Sequence, residues 1–214
     1  GIMLRNAAWR GNVQEWHSKI RHWLARGDAQ DMIDLAIFLD AHAVAGDPNL
    51  LEDVRNYLWQ ASSDNDVLLT RFAAATEAFG NAQDSWLNRL FAAGDAHQLL
   101  HIKKLGLFPI VHGVRSLALS EHIAATSTVE RIEALVQSGA LQRKWGDNLI
   151  HSLHFFMALR LKANLAHPTP AQDEGGDIDV RQLTSLERDL LKDALGIVKR
   201  LKTLVRQRFR LNLL

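Results

Sequence analysis

The chain has 214 residues, 47% apolar and 23% charged, which suffices to bury the core of one globular domain or two small ones and excludes a disordered chain. Its 25 basic and 24 acidic residues leave a net charge of +1, so no global field gathers nucleic acid or anionic lipid and any basic site is local. With no cysteine, disulfides and thiolate chemistry are excluded.

Neither a signal peptide nor a run of about 18 apolar residues occurs, so the expected setting is the cytoplasm. The chain opens Gly1-Ile2-Met3 rather than with methionine, as an expression scar or a fragment of a larger protein would. Apolar residues recur at spacings of three and four almost throughout, which predicts an all-α chain without a sheet. Asn12 and Glu15 read as a capping pair for a helix through Trp16, Ile20, Trp23 and Leu24 that ends near Gly27. A second helix is expected over Asp31 to Leu39. Asp47 before Pro48 reads as the start of a third, carrying Leu51, Val54 and Leu58. Further helices are expected from Asp66 to Phe79 and from Gln83 to Phe91.

After Gly94 the pattern loosens into a basic loop. Pro109 then opens a helix with Ile110, Val114, Leu117 and Ala118 that stops near His122. Ser127 and Glu130 spell the capping box of the next helix, and Gly139 stands where a C-terminal glycine belongs. A long helix is expected from Arg143 or Asp147 to before Pro168, with Leu149, Leu153, Phe156, Leu159, Leu161 and Leu165 on one broad apolar face. His167 to Asp177 reads as an exposed loop. Thr184 and Glu187 cap a last helix from Ser185 to about Arg210, with Leu190, Leu191, Ala194, Ile197, Val198, Leu201, Leu204 and Val205 in register. Long helices on short connections predict an antiparallel bundle over residues 95–214, with the shorter helices of residues 1–94 packed beside it. A single helical domain over residues 1–214 is expected. Two units parting near Gly94 are the alternative.

Phosphate-loop, dinucleotide, H-E-x-x-H and G-x-S-x-G motifs are all missing. His97 and His101, four apart, and His151 and His154, three apart, would each share a helix face. Two imidazoles without a carboxylate at matching spacing do not make a metal site, and no metal is expected. Leu100 to Ile132 concentrates Lys103, Lys104, Arg115 and Arg131 beside the hydroxyls of Thr126, Ser127 and Thr128 at a helix start, where N–H groups without intrahelical partners favour an anion. The ordinary alternative is that Ser127 and Glu130 cap each other while Lys103, Arg115 and Arg131 pair with acids elsewhere in the bundle. Arg160 is either the partner of a carboxylate or a wall of the same pocket. Basic residues from Lys192 to Arg210 read as a solvated face, since no aromatic side chains interleave with them to stack bases. The six tryptophans read as core and interface anchors, those near the N-terminus marking a docking surface for a neighbour.

Six segments carry a family resemblance: GIMLRNAAWRG from Gly1, IFLDAHAVAGD from Ile37, IKKLGLFPIVHGVRSLAL from Ile102, TSTVERI from Thr126, FFMALRL from Phe155 and IDVRQLTSLERDLLKDAL from Ile178. Together, over nearly the whole chain, they resemble the nucleotidyltransferase substrate-binding domain family, DUF294 C-terminal. The resemblance implies a helical module that follows a nucleotidyltransferase-like domain, often with cyclic-nucleotide-binding and CBS domains upstream, in bacterial signal-transduction proteins. It also implies a fold similar to the helical C-terminal domain of kanamycin nucleotidyltransferase-type enzymes, which helps shape the acceptor side of the active site.

Nucleotidyl transfer needs Mg²⁺ held by carboxylates beside a glycine-serine turn, and this chain has no such turn followed by D-x-D. It is therefore expected to be non-catalytic by itself and to hold no cofactor, with Mg²⁺ and nucleotide belonging to the catalytic domain. His42 stands where the family commonly has arginine in a D-x-R-P segment, and His101 where aspartate commonly precedes I/L-K. The resemblance and the basic segment together point to a substrate-binding or regulatory domain with Lys103, Arg115, Thr126, Thr128, Arg131 and Arg160 as substrate-binding residues. Expected partners are the nucleotidyltransferase-like domain of the parent protein, a nucleotide or acceptor substrate, and a second copy in a homodimer; membrane and nucleic acid are not expected. The alternative is a structural docking or dimerisation module without substrate contact.

Overall fold

Capping residues fix most helix boundaries in the computed structural model, which describes residues 6–63, 65–77, 99–166 and 177–211. Helix α1 (Val13–Arg26) begins where Asn12 accepts the Glu15 N–H at 2.9 Å and Glu15 accepts the Asn12 N–H at 2.8 Å. It ends at Gly27, whose φ of +60° places it in the left-handed region that favours glycine. Helix α2 (Ala29–Phe38) starts ahead of the expected Asp31, because Asp28 is the cap and Asp31 its reciprocal partner, at 2.9 and 3.2 Å. Helix α3 (Asn49–Ser62) has its first N–H bonded by the Asp47 carboxylate at 3.0 Å. Helix α4 (Asp66–Ala74), capped by Asn65, is shorter than the expected Asp66–Phe79. The end of that expected helix, the helix expected over Gln83 to Phe91 and nearly all of the loop after His167 lie outside the described residues.

The fold is predominantly all-α, as expected, with one small two-stranded sheet added to it among the described residues. Strand β1 (Leu99–His101) pairs antiparallel with β2 (Asp177–Asp179), with Leu100 opposite Ile178. Both of these side chains are buried in the bundle core, whereas Leu99 and His101 point outward. The expected basic loop is helical as well: a π turn at Lys103–Leu107 runs directly into α5 (Phe108–Ser120). Gly106 makes that turn fit, since a Cβ there would lie 2.8 Å from ring carbons of Phe156. Helix α6 (Thr128–Gln137) follows, then Gly139 at φ +80°, α7 (Arg143–Ala166), and α8 (Ser185–Arg208). The Thr184–Glu187 box is complete. Lys162 reaches the same carboxylate at 2.6 Å and, with the Thr184 N–H, holds the Glu187 carboxyl down to about 2.

Two cores form. The larger is built from α5 to α8 with β1 and β2, around Ile110, Val114, Ile132, Leu149, Phe156, Leu191 and Leu201. The smaller joins α1 to α4 through Ile20, Trp23, Leu35, Leu58 and Phe72. Helix α5 belongs to both: it is apolar on nearly every side, packs against α4, α6 and α8, and lends Leu119 to the smaller core. His112 faces α4 there, its Nε2 2.7 Å from the Phe72 carbonyl oxygen and its ring stacked on Phe108. The expected apolar face of α7 is narrower than its leucines suggest. Leu161 is 59% exposed and Leu165 74%, because the row of residues four apart that begins with the buried Leu149 and Leu153 turns by about 40° at each step and carries Met157, Leu161 and Leu165 off the buried face. Leu190 of α8 is also exposed. Among the described residues no helix is long and apolar enough to cross a membrane.

Candidate functional site

The chain leaves α2 through Leu39 and Asp40, where carbonyls have no further helical N–H to accept. Three arginines converge on this end. Arg131, from the first turn of α6, donates Nη2 to the Leu39 carbonyl and Nη1 to Asp40 Oδ1, both at 2.7 Å. Arg115, from the middle of α5, donates Nε to Asp40 Oδ1 at 3.2 Å and Nη2 to Oδ2 in a tighter contact. Arg55 of α3 donates Nη2 to the Ala41 carbonyl at 2.7 Å and Nη1 to Glu52. A carboxylate at a helix C-terminus is opposed by the helix dipole, and here the two guanidiniums bonded to Asp40 offset that opposition.

The Arg131 side chain is only 2% exposed and that of Asp40 is 40% exposed. Burial presses the Arg131 guanidinium below its ordinary pKa while Asp40 opposes the shift, and its Nε is buried without a hydrogen-bond partner. This pairing is the ordinary alternative foreseen for Arg115 and Arg131. Asp40 and Arg55 were not among the sequence candidates. The available signal was Asp40 itself, an acid directly after an apolar helix end.

The other candidates are distributed over the bundle. Thr126 and Thr128 are half-buried and flank Ser127, whose hydroxyl accepts the Glu130 N–H at 3.1 Å and whose carbonyl accepts the Arg131 N–H. Thr128 shares the first turn of α6 with Arg131, and Thr126 precedes the cap of that helix. Lys103 is exposed at the start of the π turn, about 18 Å along the helical run from Arg115. Arg160 is half-buried on α7 with its Nε unpartnered. It lies about 20 Å along α7 from Gly146, which is the point of contact with Ile132 and Val136 of α6. The structure thus brings Arg115 and Arg131 together on Asp40, whereas Thr126 and Thr128 adjoin Arg131 only along the chain at the start of α6, and Lys103 and Arg160 lie on other elements.

An open groove of about 920 Å³ adjoins Asp40, walled by Trp9, Trp16, Ile37, Phe38 and Leu51. Its aromatic walls hold one another, with ring centroids 6.1 Å apart for Trp9 and Trp16 and 5.5 Å for Trp16 and Phe38. At α8, Arg206 pairs with Glu77 at 2.6 Å and Arg208 with Glu121 at 2.9 Å. His101 Nδ1 lies 2.7 Å from Asp177, His151 and His154 are exposed, and His97 lies outside the described residues. Among the described residues no group of three or more His, Asp or Glu side chains is placed to hold a metal.

Residues 66–209 match the sequence profile of the DUF294 C-terminal family, described as "Putative nucleotidyltransferase substrate binding domain". The matched span runs from α4 through α8 and contains Lys103, Arg115, Thr126, Thr128, Arg131 and Arg160. It is shorter than the resemblance read from the six segments, since the stretches from Gly1 and from Ile37 fall before it. No curated protein and no solved structure matches the chain. Because the matched span is more than half of the chain, this protein belongs to the DUF294 C-terminal family of nucleotidyltransferase substrate-binding domains.

Proposed function

We propose that the chain is a non-catalytic substrate-binding or regulatory module that serves a nucleotidyltransferase-like domain of the same parent protein. The observation that carries this reading is the family match across α4 to α8. In this reading Mg²⁺ and the nucleotide are handled by the catalytic domain, in a cytoplasmic bacterial signal-transduction protein, and the helical module presents or recognises the substrate.

The geometry refines the roles of the candidate residues. Arg131 is too buried to reach a ligand, so Arg131 and Arg115 act as positioning residues that lock the end of α2 onto α5 and α6. Thr126 and Thr128 supply hydroxyls beside that lock, and Lys103 and Arg160 would serve a second contact region. Calorimetric titration of the full-length parent with Mg²⁺-nucleotide and acceptor tests the reading. Thr126→Val with Thr128→Val, or Lys103→Ala with Arg160→Ala, is expected to weaken binding at least about fivefold, the scale of one lost hydrogen bond. Unchanged affinity in both pairs refutes substrate contact, and nucleotide transfer by the 214-residue chain alone refutes the non-catalytic assignment.

A second reading, a docking or dimerisation module, is favoured by one observation. Met157, Leu161 and Leu165 form an exposed apolar stripe on α7 beside the Lys162–Glu187 contact, and Leu186 and Leu190 of α8 are exposed too. It predicts that Leu161→Glu with Leu165→Glu disrupts self-association or attachment to the catalytic domain, measured by sedimentation, while substrate affinity is unchanged.

A further inference from the structure

We infer that the groove beside Asp40 binds a neutral, planar heteroaromatic group carrying an N–H donor, the chemistry of a nucleobase. This deepens the substrate-binding reading and rests on it: the ring belongs to the substrate that the module presents, apart from the nucleotide and Mg²⁺ that the catalytic domain handles. The walls select for flatness and low polarity: Trp9, Trp16 and Phe38 are braced against one another, Ile37 and Leu51 complete the lining, and a volume of about 920 Å³ suits a small molecule.

Asp40 supplies the polar selection. Among the described residues it is the one carboxylate of the groove's lining, which there includes no lysine or arginine. A carboxylate offers about four lone-pair sites, of which Arg115 and Arg131 occupy three. The acceptor capacity that is left belongs to a side chain 40% exposed, at the groove. Its charge is already matched by two guanidiniums, with Arg55 close behind. A cation therefore gains little from Asp40, and an anion meets that acceptor with only the amides of Asn12 and Gln14, the imidazole of His42 and the indole N–H groups of Trp9 and Trp16 as side-chain donors among the described lining residues. A purely aliphatic ligand would bury the remaining lone pair unpaired. A ring N–H or exocyclic amine satisfies it while the ring faces the tryptophans.

Titration of the 214-residue chain with adenosine, followed by tryptophan fluorescence and calorimetry, tests the assignment, with N-methylpyridinium as a planar cation and tripolyphosphate as an anion without a base. Two variants accompany it. Trp9→Ala removes one wall. Leu50→Asp puts a charge in the lining at a side chain 55% exposed in the first turn of α3, where an acid suits the helix dipole and the fold is retained. Adenosine is expected to bind and quench fluorescence, to weaken at least about fivefold in both variants, and to bind more tightly than either control. Absence of adenosine binding at millimolar concentration, unchanged affinity in Leu50→Asp, or a preference for the cation overturns it. So does self-association that Leu50→Asp abolishes without any nucleoside binding, which would make the groove a contact between copies. If adenosine fails while the parent still binds substrate in a manner sensitive to Thr126 and Thr128, only the groove assignment falls; loss of both also removes the substrate-binding reading.

Discussion

Replacing Asp40 with alanine removes the acceptor on which two helices of the larger core are fastened to the smaller one. Three charge-assisted hydrogen bonds from Arg115 and Arg131 disappear together. Breaking a buried ion pair by removing one partner costs about 3–5 kcal/mol, mostly because the other charge stays buried alone. Two features reduce that figure here. Water already reaches the 40% of the Asp40 side chain that is exposed, and Arg131 keeps the Leu39 carbonyl at 2.7 Å. The expected loss is about 2–3 kcal/mol, which for a chain of this length is a fall in Tm of roughly 5–10 °C. Urea titration followed by far-ultraviolet circular dichroism measures it, and the midpoint should fall with an unchanged m-value. Arg131→Met in the Asp40→Ala background should restore part of the loss, because the stranded buried charge is then gone. A loss below about 0.5 kcal/mol, the size of an ordinary surface pair, refutes the reasoning.

His112 gives a pH dependence with a defined sign. Desolvation in the seam between α4 and α5 is the main cause that lowers its pKa from 6.5 to about 4, so the folded chain holds it neutral where the unfolded chain protonates it. Stability should decline as pH falls from about 6.5 to about 4 and draw no further change from this residue below that. In His112→Leu that part of the slope should vanish, and an imidazole resonance titrating near 6.5 in the folded wild type refutes the assignment. Two glycine substitutions should act in opposite directions on the urea midpoint. Gly106→Ala forces a Cβ to 2.8 Å from the Phe156 ring and should destabilise by about 1–3 kcal/mol. Gly196→Ala, exposed within α8 and with nothing within 4 Å of the new carbon, should stabilise by about 0.5–1 kcal/mol.

Features that rest on neighbouring residues could be read from the sequence. The Asn12–Glu15 and Thr184–Glu187 boxes and Gly139 each act within one helical turn, so spacing alone locates them. Asp28 escaped notice because the second helix is expected to begin at Asp31, which is in fact the reciprocal partner of the Asp28 cap. Leu161 and Leu165 depart from the expected apolar face because they continue the row of Leu149 and Leu153, which drifts about 40° around the helix at every fourth residue and so leaves the core. At the candidate site, Arg115 and Arg131 stand out through the concentration of basic residues between Leu100 and Ile132, and pairing with a distant acid is one of their two expected fates. Which acid it is depends on how α2 packs against α5 and α6, and Asp40 is far from both in sequence. The sheet was hidden for the same reason, since three-residue strands carry no periodicity to detect.

The pairing of Leu99–His101 with Asp177–Asp179 joins residues more than 70 positions apart, as the contact of His101 with Asp177 shows. So short a ladder has no independent stability, and its closure entropy is not offset until the π turn, α5, α6 and α7 have already brought its ends together. The ladder is therefore a late event in folding. Ile178→Val should speed unfolding and leave the folding rate nearly unchanged, a φ-value close to zero, whereas a truncation of Ile110 or Val114 should slow folding itself.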